Sequence, residues 1–294
     1  NKVINLIKSA DIVIDQFRPG VMKRLGLDFK SLLKIKPNII HCSITGYGQT
    51  GPKKLVAAHD LNYMAESGLL SLSREKDGAP AMPNTQIADI AGGSYPAVIN
   101  ILLALKEVEK TGQGKFLDIS MTDNLFPFMW MALGLTAKNY YSEGGDLQLT
   151  GASPRYGIYE TLNKGYIALG ALEEKFWLRF CEVINLPQEF IDDRINPNAT
   201  KIAIIKLIKE KETEYWKETL SKEDNICCSI VSSLKEAMSN AQIIERELLT
   251  AEMKLGTEKI LAIPTLLAPT WKTKDVIKSA PKLGEANLLY MEET

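Results

Sequence analysis

His59 is one of only two histidines in the 294-residue chain, and Asp60 follows it directly in the stretch AAHDLNY at residues 57–63. An imidazole has an unperturbed pKa near neutrality, so it can exchange a proton at physiological pH. The stretch also permits a structural interpretation, in which Asp60 accepts amide hydrogens at a helix start and His59 is a satisfied core residue. Taken alone, the stretch favours this structural interpretation.

Asp89 lies in a second, glycine-rich segment, NTQIADIAGGSYPAV, which predicts another helix start. Aspartate is a favoured N-cap, and this alone can explain its presence. A carboxylate at a helix start also lies beside free amides, which can stabilise an anion that forms nearby. Gly92 and Gly93 would leave room for a ligand to approach the backbone, and Pro96 is expected to kink or interrupt the helix.

Other charged residues also lie near predicted strand ends and turns. Arg18 comes just after a strand end, where α/β sheets place their ligands, whereas Arg24 either faces phosphates or solvates a helix face. Lys53 and Lys54 are either phosphate contacts or solvated loop charges. Glu173 follows a predicted strand and begins a helix, so its local role is to stabilise the helix dipole.

The elements that position these residues alternate between strand and helix. Residues 11–17 are predicted to be a strand, residues 21–37 a helix that stops at Pro37, and residues 38–48 a second strand. A strand, a helix and a strand over about 30 residues predict a parallel sheet with helices against its faces.

Further helices are expected at residues 60–70, 90–110 and 123–135, with a strand within residues 111–121. The last of these helices carries Met129, Trp130 and Met131. Such a cluster is more often part of a core than of a ligand site.

A polar, glycine-rich stretch at residues 138–157 is the predicted linker between two domains. Residues 1–137 are predicted to be a large Rossmann-like domain and residues 158–245 a smaller α+β domain. The smaller domain begins with a hairpin around Asn163–Gly165 and continues with helices near 173–185 and 200–220. Residues 246–294, extended and rich in proline, are expected to return to the large domain.

Composition excludes several classes of protein. The 35 basic and 36 acidic residues nearly cancel, so no partner such as nucleic acid or a membrane surface is indicated, and no segment reads as a membrane span. Neither a G-x-G-x-x-G loop nor a P-loop is present, and no metal site is expected. The four cysteines are expected to be reduced thiols, mostly buried, in a cytoplasmic protein. A mitochondrial or peroxisomal compartment would apply in a eukaryote.

Taken together, the motifs resemble the family III coenzyme A transferase superfamily (CaiB/BaiF-like), and within it the α-methylacyl-CoA racemases. The resemblance covers nearly the whole chain. The motifs are FRPGVMKRLGL (17–27), TGYGQTGP (45–52), HDLNY (59–63), ADIAGGS (88–94), TGQGKFLDISM (111–121), YGIYET with GYIALGALEEKFW (156–177), and PKLGEA (281–286).

The resemblance implies a racemase that inverts the α-carbon of 2-methylacyl-CoA thioesters through an enolate. His59 and Asp89 would be the two acid/bases, with Glu173 in support. Amides at the Asp89 helix start would hold the enolate oxygen. No cofactor beyond the coenzyme A moiety of the substrate is expected, and an interlocked homodimer would form the site. The substrate-binding residues implied are Arg18 and Arg24 on the coenzyme A phosphates, Asp60 and Tyr63 at the thioester, and Gly92 and Gly93.

Two alternatives remain open at this point. In the CoA-transferase members of the family, the aspartate at position 89 would be a nucleophile that forms an acyl anhydride, and those members generally lack the histidine of HDLNY. The chain also begins inside what would be the second βαβ unit, so a truncated, inactive remnant is the other alternative.

Overall fold

The computed structural model describes residues 2–75, 78–272 and 278–287. The chain divides into two compact units, Asn1–Ser153 and Pro154–Thr294. The boundary between the units falls within the predicted linker at residues 138–157. The predicted small domain and return segment both lie in the second unit, and their separation from each other stays a prediction.

A three-stranded parallel sheet forms the framework of the first unit, which confirms the predicted α/β fold. Its strands are β1 (Ile12–Asp15), β2 (Ile40–Thr45) and β3 (Lys115–Ser120), in the order β1-β2-β3. The helices of this unit are α1 (Lys2–Ser9), α2 (Val21–Arg24), α3 (Phe29–Ile35), α4 (Asp60–Ser67), α5 (Tyr95–Thr111) and α6 (Trp130–Thr136). Short 3₁₀ turns cover Leu69–Leu72, Asp123–Met129 and Gln148–Thr150.

Alternate residues of β2 face opposite sides of the sheet, because successive side chains of a strand point in opposite directions. Ile40 and Cys42 pack with α5. His41 and Ser43 lie on the other face, where they contact Asp15 of β1. One face of β2 therefore anchors a helix, and the other carries buried polar groups.

The segment predicted as one helix at residues 21–37 forms two helices, α2 and α3. The chain turns between them at Gly26, whose φ of +70° favours glycine. Asp28 then begins α3 as its N-cap, because its carboxylate accepts the amide hydrogen of Ser31 at 3.2 Å.

The helix that carries Asp89 starts with a π-helical turn, Ala88–Ser94, and continues without a break into α5. Pro96 lies at the change from π to α geometry, so the expected interruption is wrong. Proline has no N–H to donate to the carbonyl four residues earlier, which here belongs to Gly92. Asn124 Nδ2 donates to that carbonyl instead, at 2.9 Å.

The helix Ala88–Thr111 is long and apolar enough, by composition, to cross a membrane. One of its faces packs on β2 and β3 through Ala97 and Ile101. The opposite face leaves four side chains between 56% and 63% exposed: Val98, Ile99, Leu102 and Leu103.

The apolar segment at residues 123–135 is only half α-helical. Pro127 lies inside the 3₁₀ turn Asp123–Met129, and α6 begins after it. Met129 is buried, but Trp130 is 67% exposed, so the prediction that Trp130 belongs to the core is wrong.

An antiparallel sheet of β4 (Tyr156–Glu160), β5 (Tyr166–Gly170) and β6 (Cys228–Ile230) forms the second unit's main sheet, and β4 and β5 are the predicted hairpin. The helices are α7 (Glu174–Val183), α8 (Pro197–Ile208), α9 (Thr213–Leu220), α10 (Leu234–Met238) and α11 (Ala241–Glu245). Strands β7 (Glu252–Leu255), β8 (Glu258–Leu261) and β9 (Lys278–Ser279) follow, with 3₁₀ turns at Gln188–Phe190 and Pro269–Trp271.

Candidate active site

A cavity of about 610 Å³ opens at the carboxyl ends of β1 and β2. The segments that follow these two strands form two of its walls, and the starts of α4 and of the Asp89 helix form the others. Open α/β sheets bind ligands at the carboxyl ends of their strands, so this cavity is the candidate ligand site. We call it the main cavity; it is lined by Arg18, Tyr47, Lys54, His59, Tyr63 and Asp89, among others.

His59 immediately precedes α4, where its backbone is extended (φ −132°, ψ 177°). Its backbone N–H donates to Asn62 Oδ1 at 3.0 Å, which fixes the start of the helix. The His59 side chain is exposed and lines the main cavity. The interpretation of His59 as a core residue is therefore wrong.

Asp60 does not cap its own helix. Its Oδ1 accepts the backbone N–H of Asp89 at 2.9 Å, across 29 positions of sequence. This hydrogen bond joins the start of α4, which carries His59, to the start of the helix that carries Asp89. Asp60 therefore fixes the positions of the two helix starts that carry the candidate acid/bases, relative to each other.

Asp89 is the second residue of its helix, which begins at Ala88, so its predicted role as N-cap is wrong. The amide of Asp89 is already bonded to Asp60, and the amide of Ile90 donates to the Gln86 carbonyl at 3.1 Å. These two amides are therefore not free to hold an enolate oxygen, contrary to expectation. Short π-helical turns of this kind are frequent at functional sites.

The charged groups of the main cavity act on one another. Partial burial raises the pKa of Asp89; the Asp60 carboxylate raises it further, and His59 lowers it. Burial also raises the pKa of the Tyr63 phenol, and the Asp89 carboxylate adds to this rise while Arg18 opposes it. Asp89 therefore interacts electrostatically with His59 and Asp60, and Tyr63 interacts with Asp89 and Arg18.

The glycines assigned to substrate binding serve packing instead. A Cβ on Gly92 would lie 2.4 Å from the carbonyl oxygen of Met121, and one on Gly93 would lie 3.0 Å from the Met121 side chain. Both glycines are buried, so the protein itself fills the space that they leave. Gly46, which sequence reasoning missed, allows the Tyr63 ring to approach the strand end, since a Cβ there would lie 2.3 Å from the ring.

The basic residues separate into different environments. Arg18 and Lys54 line the main cavity, whereas Lys53 forms an ion pair with Glu66. Arg24 lies on the exposed surface of α2 and lines neither of the two cavities described. Glu173 belongs to the second unit, where it is exposed and immediately precedes α7. The supporting role of Glu173 stays a prediction.

A second cavity, of about 410 Å³, lies on the polar face of β2. We call it the rear cavity; its lining includes Asp15, Phe17, Arg18, His41, Ser43 and Phe116. A hydrogen bond of 2.7 Å joins His41 Nε2 to Asp15 Oδ2, and the two side chains are only 3% and 4% exposed. Sequence reasoning missed this pair, although polar residues inside the apolar strands IVID and IHCSIT were a signal that could have revealed it.

The geometry defines an α/β protein with a cavity at its strand ends. The chain matches the family model for CoA-transferase family III over residues 2–287. It therefore belongs to CoA-transferase family III, an enzyme family that acts on acyl-CoA substrates.

The relatives include enzymes of two kinds. An α-methylacyl-CoA racemase from Mus musculus is 30% identical over 246 residues, which cover 81% of this chain and 63% of the racemase. A succinate–glutarate CoA-transferase from Agrobacterium fabrum is 28% identical over 304 residues, which cover 99% of this chain and 74% of the transferase. Racemases and transferases thus occur at similar identity.

Solved structures show the same fold. Rv3272 from M. tuberculosis superposes with a TM-score of 0.82 at 24% identity, over 98% of this chain and 79% of that one. A CaiB/BaiF family protein from Brucella suis gives a TM-score of 0.79 at 23% identity, over 98% of this chain and 76% of that one. The predicted family III CoA-transferase fold is confirmed.

Proposed function

We propose that this chain is a racemase that inverts the α-carbon of 2-methylacyl-CoA thioesters, with His59 and Asp89 as its two acid/bases. One observation carries the proposal: the His59 imidazole and the Asp89 carboxylate line the same cavity, where His59 is close enough to lower the pKa of Asp89. Two different bases around one cavity suit a reaction that moves a proton from one face of a carbon to the other.

The reaction conserves atoms without a co-substrate. One base removes the proton from C2 of the thioester, and the electron pair of that C–H bond moves toward the thioester carbonyl to form an enolate. The conjugate acid of the other base then gives a proton to the opposite face of C2. For the second half of the cycle the two groups exchange their protonation states through solvent. The raised pKa of Asp89 makes its carboxyl a stronger base than an ordinary aspartate.

Arg18, Lys54 and Tyr63 complete the site in this proposal. The guanidinium of Arg18 and the ammonium of Lys54 offer cationic contacts to the phosphates of coenzyme A at the cavity wall. The Tyr63 hydroxyl donates to the Ala58 carbonyl at 2.7 Å, so the ring is held against the turn that precedes His59. It is thus a fixed wall for the acyl group.

CoA transfer between carboxylic acids is the second candidate function. Succinyl-CoA:glutarate CoA-transferase from Mus musculus is 29% identical over 99% of this chain, which supports it. Asp89 would then attack the thioester carbonyl, form an acyl anhydride and release coenzyme A as a thiolate. His59 separates the two candidates, since a nucleophilic mechanism has no need of a second base at that position.

The test is to incubate the protein with a single enantiomer of a 2-methylacyl-CoA in D₂O. We expect the opposite enantiomer to accumulate with one deuterium at C2, by chiral chromatography and mass spectrometry. A parallel reaction contains succinyl-CoA and glutarate, with hydroxylamine to trap an acylated Asp89. Trapping at Asp89 without deuterium incorporation would establish the transferase instead.

We also propose that the chain forms a homodimer. The exposed apolar face of α5, formed by Val98, Ile99, Leu102 and Leu103, supports an interface there. Leu102→Glu should shift the mass in solution, measured by light scattering, from two chains to one, whereas Lys34→Glu, at an exposed position of α3, should not. A native mass of one chain would contradict the proposal.

A further inference from the structure

The buried pair Asp15 and His41 lines the rear cavity and takes no direct part in the proposed reaction. Asp15 is the last residue of β1, and in register it is opposite Ser43 of β2. Its Oδ2 is bonded to His41 Nε2, and its Oδ1 accepts the backbone N–H of Phe17 at 3.0 Å. The carboxylate therefore holds the first residues of the turn that carries Arg18.

The same carboxylate is linked to the loop that follows β2, through Ser43 and Gln49, which both line the rear cavity. Ser43 Oγ donates to Asp15 Oδ1 at 3.4 Å, and Gln49 Nε2 donates to Ser43 Oγ at 2.9 Å. Gln49 lies in the glycine loop at residues 46–51, which begins with the cavity-lining residue Gly46. The backbone of Gln49 is fixed from the other side, since its N–H donates to both carboxylate oxygens of Asp118, at 3.1 and 3.0 Å.

The network around Asp15 and His41 is buried, and its carboxylate is fully hydrogen-bonded. The side chains of Asp15 and His41 are almost completely removed from solvent, and Phe116 packs edge-on against the His41 ring with centroids 5.1 Å apart. Burying an aspartate costs free energy unless its oxygens are well bonded. Here both oxygens are bonded, Oδ2 to His41 Nε2 and Oδ1 to the Phe17 backbone N–H and the Ser43 hydroxyl.

We infer that Asp15, held in place by His41, is a positioning residue that fixes two segments whose residues line the main cavity, the Arg18 turn and the glycine loop at residues 46–51. The inference rests on the proposed acyl-CoA function of that cavity. Arg18 stays at a fixed distance from His59 and Asp89 only if its turn is held. A loosened turn would therefore weaken acyl-CoA binding more than it slows the proton transfer.

The test compares three variants of the full chain. Asp15→Ala removes all acceptors, whereas Asp15→Asn keeps an oxygen that can accept from Phe17. Asp193→Ala is the matched control, because Asp193 is a similarly buried carboxylate, 9% exposed, paired with Arg155 in the second unit. Two properties are measured: hydrogen exchange of the amides in residues 16–19 and 46–51, and the KM and kcat for 2-methylacyl-CoA.

We expect Asp15→Ala to accelerate exchange in both segments by roughly tenfold, the factor for losing one hydrogen bond. KM should rise by roughly tenfold with a smaller change in kcat, and Asp15→Asn should restore KM to within about threefold. Asp193→Ala should change neither. Exchange that accelerates only in residues 16–19, or an equal rise in KM in Asp193→Ala, would overturn the inference.

Ser43→Ala provides a second route if Asp15→Ala does not fold. It removes only the bridge between Asp15 and Gln49, so exchange should accelerate in residues 46–51 and stay unchanged in residues 16–19. No change in either segment would contradict the link. The exchange measurement needs no substrate, so a native chain without racemase activity would refute the proposed function alone, and the exchange rates would still decide the positioning role.

Discussion

The two units of the molecule are packed in different ways. Among the described residues, the second unit has a single core in which thirteen buried side chains form one cluster around Trp177 and Tyr159. The described part of the first unit has four separate clusters of three or four residues each. The first unit also buries more polar groups, namely Asp15, His41, Ser43, Thr45, Ser67 and Ser120, against Thr161, Asp193 and Thr200 in the second.

The difference follows from what each unit contains. Cavities and buried polar networks interrupt an apolar core, because close packing and open space exclude each other. In the first unit, apolar packing is interrupted around the main and rear cavities, where His59 and Asp89 are held in fixed positions. The second unit packs its aromatic side chains, among them Tyr159, Trp177 and Phe180, in one continuous cluster.

Asp89→Asn should have the largest effect on activity and almost none on stability. We expect kcat to fall by about 10³-fold, since both candidate reactions need the carboxylate. The melting temperature should stay the same or rise, because the pKa of Asp89 is raised in the folded state and its charge is therefore disfavoured there. Asp123→Asn, the same change at a residue outside the main cavity, is the control and should keep its activity. A melting temperature that falls with the activity would mean that Asp89 is structural.

Removing one buried isoleucine from each unit tests the difference in packing. Ile204 in the second unit and Ile39 in the first are both completely buried. We expect Ile204→Ala to lower the free energy of unfolding by about 4 kcal/mol and Ile39→Ala by about 2 kcal/mol, because a small cluster can relax around the space that is left. Urea denaturation measures both. Equal losses would show that the two cores are packed alike.

Two glycine substitutions test how tightly the site helix is packed. Gly92→Ala places a Cβ 2.4 Å from the Met121 carbonyl oxygen and should destabilise the fold by about 2 kcal/mol. Gly134→Ala, in α6, meets no atom within 4 Å and should stabilise the fold by about 0.5 kcal/mol. Thermal unfolding should therefore shift in opposite directions in the two variants. A shift in the same direction would contradict the packing role of Gly92.

Asp60→Asn should produce the smallest effect, a displacement of the pH profile. The amide oxygen of asparagine can still accept the Asp89 N–H, but the negative charge that raises the pKa of Asp89 is gone. The pKa of Asp89 falls toward its ordinary value, while the contribution of burial remains. The acid limb of kcat/KM should therefore move to lower pH. Because the pKa of Asp89 is raised in the folded state, its ionisation lowers the stability of the fold as pH rises through that pKa. This loss of stability should be smaller in Asp60→Asn. A profile that moves to higher pH would contradict this electrostatic account.

Local sequence pattern located the candidate site residues but did not assign their roles. Local sequence placed His59 and Asp89 beside predicted helix starts and favoured structural roles for both, whereas the resemblance to family III coenzyme A transferases implied that they share a site. The partner of Asp60 could not be predicted, because its carboxylate bonds across 29 positions rather than within its own first turn. The same holds for Gly92, whose neighbour Met121 follows a strand that is distant in sequence.

The predictions for helices were wrong where a proline or glycine changed the local hydrogen bonding. Pro96 was expected to interrupt a helix, but Asn124 satisfies the carbonyl that proline leaves free, and the helix continues. Trp130 was expected in the core, but the 3₁₀ turn before it rotates its side chain to the surface. The Asp15 and His41 pair was missed because strand register, not sequence distance, brings the two residues together.

The proton exchange of each enantiomer in His59→Ala tests the proposed mechanism most directly. In D₂O, Asp89 alone should still remove the α-proton from one enantiomer of 2-methylacyl-CoA, so deuterium should enter that enantiomer without inversion. Exchange from the other enantiomer should fall by about 10³-fold, because its proton faces the position of the missing imidazole. Equal exchange from both enantiomers at the native rate would contradict the assignment of His59 and Asp89 to opposite faces of one carbon.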